Sequence, residues 1–324
     1  MVPVRSTVVS GSRGGWVKLL IPRSGGGDGR GGFAVRVAAF AAEFYSRLPE
    51  GVFREFVREP ERREWAFTVE RGGDLVFVRK RRWDEVEGFV ELYHSVGRFE
   101  EPTRWEGLTG WDLVLDVDAE LPEDAEGFLR ELGELLRGVV RVCEELRRVV
   151  GLPAPDVINF SGSKGFHVRY FFESIRNRLR WGEHLGRGLD VEELVRGLGR
   201  GLVWLAEEGF IGGGVGELLD ESMYELKRLI RCVGSLNAKS LLPAVPVWCK
   251  WEGSWREFRE RVLDGSGLEV GCWVVRRVLT WPGGGLVEVL DRVLGLEVDV
   301  GVRGLEEFVG VWEEVQEALG EMKG

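Results

Sequence analysis

Two aspartates one residue apart, Asp116 and Asp118 in "LVLDVDAE" (113–120), have the spacing in this chain that most invites chemistry. On an extended strand residues i and i+2 face the same side, so both carboxylates point one way while Leu113, Leu115 and Val117 point the other. Two anions that close repel each other and lose hydration when the strand is buried. Two arrangements meet that cost: both carboxylates stand in solvent at a strand end, or a divalent cation sits between them. A second group, "SGSKGFH" (161–167), lies between two strand-like runs. Gly162 and Gly165 allow a tight turn and close backbone approach, and Ser161, Ser163, Lys164 and His167 offer donors that suit phosphates. The alternative is a glycine hairpin with a polar tip, since neither a Walker A nor a dinucleotide-binding spacing is present. A third group, "RCVGSLNAKS" (231–240), adds Arg231, Ser235, Asn237 and Lys239. Together, a carboxylate pair and two donor-rich turns suit a nucleoside triphosphate with its metal, where two cations activate an attacking hydroxyl and stabilise the leaving pyrophosphate. That chemistry asks for a third carboxylate, for which Asp220 is the candidate and Glu221 its rival.

Something must hold these groups in register. Strand-like runs occur at 64–70, 75–80, 90–96 and 112–118, and 156–172 reads as strand, tight turn, strand. A helix is expected from about 33 to 47. The strongest helical pattern runs from Ala125 to Val150, where apolar residues recur at helical spacing after Pro122 and a cluster of carboxylates, until Gly151 and Pro153 stop it. Residues 191–209 read as helical and 211–216 as a glycine-rich turn. Residues 226–236 lead from a helix or strand into a turn, and the remainder is mainly helical, ending in a helix over 305–322. The first 32 residues, with "PRSGGGDGRGG" (22–32), read as a flexible extension carrying at most a short strand at 16–21. These elements predict an α/β or α+β core of mixed sheets with flanking helices over 33–250, with a mainly helical, acidic region over 251–324 packed on it.

Composition narrows the class. With 324 residues and 44% apolar content the chain can bury a full core. No signal peptide or membrane span is visible, and the four separated cysteines, without a C-x-x-C pair, speak against a disulfide framework and a zinc site, so a reducing cytoplasm fits. Arginine outnumbers lysine 37 to 7, a bias shared by thermophiles and GC-rich genomes. The net charge of −10 is concentrated in the tail, which holds 15 acidic and 8 basic residues over 251–324 and leaves −3 for residues 1–250. Basic runs at 78–82, 175–180 and 226–231 are candidate phosphate tracks or simply solvated faces.

The order of these segments resembles the small catalytic subunit of the archaeal and eukaryotic type of DNA primase, from about Phe44 to Leu242. "REWAF" (63–67), "FVRK" (77–80), the long run "YHSVGRFEEPTRWEGLTGWDLVLDVDAE" (93–120), "FSGSKGFH" (160–167) and "RLIRCVGSLNAKS" (228–240) match that family's segments in the right order. The resemblance implies a primase-type catalytic core in which Asp116, Asp118 and Asp220 bind Mg²⁺ or Mn²⁺. It implies too that Ser161, Ser163, Lys164 and His167 hold the incoming nucleotide's phosphates, that Arg63 and Lys239 add charge to the triphosphate, and that Asn237 sits near its sugar. It further implies template-directed primer synthesis on single-stranded DNA from nucleoside triphosphates, with a large subunit as partner. The chain departs from the family in lacking a zinc knuckle between the D-x-D strand and the S-G turn, where Cys143 is the one cysteine, so no zinc is expected. Asn237 and Lys80 stand where the family has histidine.

Three other readings compete. A self-sufficient primase-polymerase or end-joining repair polymerase keeps the chemistry and changes the role. A haloacid-dehalogenase-like phosphatase also has a D-x-D strand, but Glu120 stands where that family wants Thr or Val. A non-catalytic nucleic-acid-binding subunit would have no use for an unneutralised carboxylate pair.

Overall fold

The computed structural model describes residues 31–178 and 227–323, together with positions 197, 200, 201, 204 and 208 between them. The expected strand at 16–21, most of the helix at 191–209, the turn at 211–216, and Asp220, Glu221 and His184 lie outside the described residues.

The chain enters through α1 (Gly31–Tyr45), whose Val37, Phe40 and Phe44 are fully buried, and the one-turn α2 (Val52–Glu55). Strands β1 (Trp65–Arg71), β2 (Asp74–Arg81), β3 (Glu91–Ser95) and β9 (Leu229–Arg231) form a first sheet in the order β2-β1-β3-β9, antiparallel throughout. Strands β6 (Leu113–Asp118), β7 (Val157–Phe160), β8 (Gly165–Tyr170) and β10 (Val245–Cys249) form a second, in the order β10-β7-β8-β6, also antiparallel. Between them a hairpin of β4 (Gly97–Glu101) and β5 (Glu106–Trp111) carries the chain from β3 of the first sheet to β6 of the second. The fold is therefore α+β.

Helix α3 (Ala125–Val149) starts where expected, with Asp124 accepting a hydrogen bond from the Gly127 N–H at 2.7 Å. Its apolar stripe, including Leu129, Leu132, Leu136 and Cys143, is fully buried. The region after 250 contributes α5 (Trp255–Asp264), α6 (Gly267–Thr280), the short α7 (Gly285–Val289) and α8 (Leu305–Lys323), following α4 (Phe172–Arg178) earlier in the chain. Helix α6 crosses α3 closely: a Cβ on Gly133 would overlap the Gly267 carbonyl, and one on Gly271 the Leu129 carbonyl. Backbones meet there because neither helix has a side chain in the way. Buried Phe308, Trp312 and Val315 of α8 join the same apolar core.

Most elements follow the sequence expectations to within a residue or two. The differences are instructive. Residues 97–111 form a hairpin whose strands are interrupted by charged and glycine residues, so alternation is weak. Strand β10 falls in a region expected to be helical, and its residues are buried throughout, which removes the period-two signal.

Candidate active site

The two sheets flank a cleft of about 710 Å³. Its floor includes Asp116 and Asp118 of β6 and His167 of β8, and the turns around 161–164 and 237–239 form part of its rim. The first sheet contributes Thr68, Phe77, Glu91, Tyr93 and Arg231.

Register explains the convergence. In the second sheet Asp116 stands opposite His167, and His167 opposite Asn159, so the three lie in a row across β6, β8 and β7. Asp118 stands opposite Gly165. Leu113, Leu115 and Val117 face the other way and are buried, which fixes the carboxylates toward the cleft. The Asp116 side chain is 19% exposed and that of Asp118 46%. Burial, together with the neighbouring Asp116, pushes the Asp118 carboxyl above its usual value, and Lys164, with Nζ 3.7 Å from Asp118 Oδ2, only partly opposes this.

His167 Nε2 lies 3.4 Å from Asp116 Oδ1, and its Nδ1 lies 3.4 Å from Asn159 Nδ2. Because the Asn159 amide can only donate there, Nδ1 accepts and the ring proton sits on Nε2, facing Asp116. Burial, followed by the nearby Arg231, pulls the His167 pKa down to about 4, so the ring is neutral near pH 7.

The first turn is tied to the second. Gly162 has φ 84°, and a Cβ on it would lie 2.8 Å from the Leu242 carbonyl oxygen. Ser240 Oγ donates to the Gly162 carbonyl, and Arg231 Nη1 donates to that of Ser161 at 3.2 Å. Asn237 Oδ1 accepts from the Lys239 N–H at 2.9 Å and the Ser240 N–H at 3.4 Å, closing the second turn on itself. Glu91 clamps the assembly: one oxygen accepts from Arg231 Nη2 and the Ala238 N–H, both at 3.0 Å, and the other from Thr68 Oγ1 at 2.8 Å.

The arrangement offers a hard-oxygen pair beside donors and cations. The chain is 58% identical over 293 residues to the DNA primase small subunit PriS of Methanopyrus kandleri, covering 89% of this chain and 99% of that protein. The chain belongs to the DNA primase small subunit family. It is also 28% identical to the DNA primase small subunit PriS of Pyrobaculum aerophilum, over 83% of this chain and 98% of that protein. No family model matches the chain. Among solved structures, a polymerase domain of Mycobacterium tuberculosis ligase D in complex with DNA aligns at TM-score 0.44 and 16% identity, over 79% of this chain and 91% of that chain, too distant a likeness to inform this site. Membership of the primase family makes the chain a nucleotidyltransferase and removes the phosphatase reading.

The cleft thus brings together Asp116, Asp118, Ser161, Ser163, Lys164, His167, Asn237 and Lys239. Asp220 lies outside the described residues. Arg63, which the primase resemblance assigns to the triphosphate, does not line the cleft. It is fully buried, donating to Asp112 Oδ2 at 2.5 Å and to the carbonyls of Arg58, Ser95 and Val96. Burial pushes the Asp112 carboxyl up, but Arg63, Arg169 and Arg98 together outweigh it and hold the carboxyl below its usual value. Sequence reasoning missed Glu91 and Tyr93 at this primase-family cleft, and Asp112 as the buried partner of Arg63. The alternation in 91–95 does put Glu91 and Tyr93 on one face, but which strands that face meets is a matter of pairing. Among the described residues no group of three or more His, Cys, Asp or Glu side chains could hold a metal, and no described helix is long and apolar enough to cross a membrane.

Proposed function

We propose that the chain is the catalytic subunit of a cytoplasmic DNA primase, building short primers on single-stranded DNA from nucleoside triphosphates. The observation that carries this is the carboxylate pair of β6, set beside two donor-rich turns in one cleft of a primase-family chain.

The donor set fits a hard divalent cation such as Mg²⁺ or Mn²⁺: two carboxylates on one strand face, one of them raised in pKa by burial and by the other. Asp116 and Asp118 would hold the ion, with Asp220 as the proposed third ligand. When bound, such ions activate the attacking hydroxyl and stabilise charge on the leaving pyrophosphate.

The chain's own groups do the rest. Ser161, Ser163 and Lys164 present donors from a turn whose backbone is tied down by Ser240 and Arg231, so they meet the phosphates without first having to be ordered. Lys239 brings a second cation from the facing turn, and Asn237 keeps that turn closed beside the sugar. Neutral His167, with Nε2 3.4 Å from Asp116, stands beside the carboxylate pair and contributes position more than charge. Arg63 acts at a distance from the nucleotide, by neutralising Asp112 beneath the start of β6.

With a net charge of −3 over residues 1–250, the electrostatic hold on template is modest, so a large subunit is proposed to supply affinity in a heterodimer. The experiment is primer synthesis on single-stranded DNA with labelled ribo- and deoxynucleotides and either metal, with and without the large subunit. Template-dependent product, greatly increased by the partner, is expected. No product under any of these conditions overturns the assignment, and efficient initiation by the chain alone favours the self-sufficient primase-polymerase.

A further inference from the structure

The basic run Arg79-Lys80-Arg81-Arg82 lies beyond the cleft. Strand β2 leads to it. Leu75 and Phe77 line the cleft, and Arg79 follows two residues on, roughly 7 Å further along the strand. There Arg79, Lys80 and Lys227 gather over one ring. Arg79 Cζ, Lys80 Nζ and Lys227 Nζ lie 5.7, 4.4 and 4.3 Å from the centroid of Trp105, which sits at the tip of the β4–β5 hairpin.

The Trp105 indole N–H donates to Glu64, and Glu64 accepts from Arg79 Nε at 2.9 Å and from the Lys80 N–H at 3.2 Å. Glu64 is fully buried, and among the cluster's three cationic side chains it pairs with that of Arg79. Among the described residues no carboxylate pairs with the side chains of Lys80 or Lys227. The π face attracts the three cations but cancels none of their charge. With Arg79 compensated by Glu64, the ammonium groups of Lys80 and Lys227, crowded on one ring in a chain of net charge −10, stand ready for an external anion.

Phe77 adds a second, independent feature. It is 52% exposed at the edge of the cleft, with its ring edge-on to Tyr93 at 5.7 Å. A large aromatic left half in water between a nucleotide-sized cleft and a cation cluster suits a ligand with both stackable rings and regularly spaced anions.

We propose that this face of the first sheet, from Phe77 to the Trp105 cluster, carries single-stranded nucleic acid to the cleft. A base stacks on Phe77, and backbone phosphates meet Arg79, Lys80 and Lys227. The proposal rests on the primase reading for what the cleft does, and its test is separable from it. The test follows binding of a fluorescein-labelled oligothymidylate to the full chain by anisotropy across a range of salt concentrations. In a Lys80→Glu/Lys227→Glu variant, affinity falls at least tenfold, and the slope of log affinity against log salt flattens by about 1.4, roughly 0.7 for each lost phosphate contact. In Phe77→Ala, affinity falls about tenfold with the slope unchanged, as loss of one base stack requires. Circular dichroism checks that both variants remain folded. Parent-like affinity and slope in both variants overturn the proposal. Asp118→Ala separates the two readings, since it removes an anion from the cleft and binds the oligonucleotide at least as tightly as the parent. Loss of synthesis in Asp118→Ala with parent-like binding by the other two variants leaves the catalytic reading standing and sinks this one. The reverse pattern does the opposite.

Discussion

Gly165 and Asp118 stand opposite each other on β8 and β6, and a Cβ on Gly165 would overlap both Asp118 Oδ1 and the Val117 carbonyl oxygen. The glycine is therefore the space that the carboxylate occupies. Gly165→Ala is expected to push Asp118 out of place and strain the β6–β8 pairing, at a cost of about 1–3 kcal/mol in stability. A thermal melt combined with a primer-synthesis assay checks this: a parent-like melting temperature with full activity would show that the strands part without consequence.

Asp116→Ala and Asp118→Ala are expected to leave the fold intact and reduce nucleotide addition by roughly a thousandfold or more, because each removes charge stabilisation needed only in the transition state. Circular dichroism and single-turnover incorporation measure the two halves of this statement. Near-normal incorporation by either variant contradicts the metal-pair reading.

Asp112 is enclosed by three arginines: Arg63 at 2.5 Å, Arg169 at 3.5 Å and Arg98 at 3.7 Å, all within a site that excludes solvent. Asp112→Ala leaves buried cations uncompensated and is expected to cost about 3–5 kcal/mol. The pH dependence has a definite sign. The folded carboxyl is held below its usual value, so its contribution is full above the unfolded value of about 3.9 and is lost as pH falls through the depressed folded value. Chemical denaturation of parent and variant from pH 7 downward checks it: the stability gap narrows only in the acid range. A gap that is constant across that range would show that Asp112 contributes through packing alone.

Glu91 joins β1, β9 and the 237–239 turn through its two oxygens. Glu91→Ala removes the carboxylate partner of Arg231 and the acceptor of the Ala238 N–H, so the turn carrying Lys239 loosens. With hydrogen bonds to charged groups contributing about 1.5–3 kcal/mol, kcat/KM for the nucleotide is expected to fall about tenfold to a hundredfold, mainly through KM. Glu91→Gln, which keeps an acceptor, restores part of it. A loss confined to kcat would instead place Glu91 in the chemical step.

The cysteines carry a prediction about metal content. Burial pushes the Cys143 thiol up to about 12 and the Cys272 thiol up to about 11, and raises those of Cys232 and Cys249 as well, whereas zinc takes thiolates. Purified protein after dialysis is expected to hold no stoichiometric zinc by elemental analysis. One zinc per chain would mean that ligands converge in a way their spacing does not show.

Periodicity carried the α3 stripe and the β6 alternation, and local composition the two donor-rich turns, because each depends on residues within a few positions of one another. The order of those segments was enough to recognise the family. Register needed the folded chain. Nothing local says that Asp116 faces His167, that Gly165 makes room for Asp118, or that Glu91 reaches across to Ala238, since each depends on which strands pair and with what offset. The same limit explains Arg63. Its place in an ordered motif pointed to the nucleotide, yet a guanidinium beside a fully buried carboxylate is held there by desolvation and charge, and only the tertiary structure brings Asp112 to it. The cluster around Trp105 is likewise assembled from three distant segments, 79–80, 105 and 227, which only the folded chain brings to the tip of the β4–β5 hairpin.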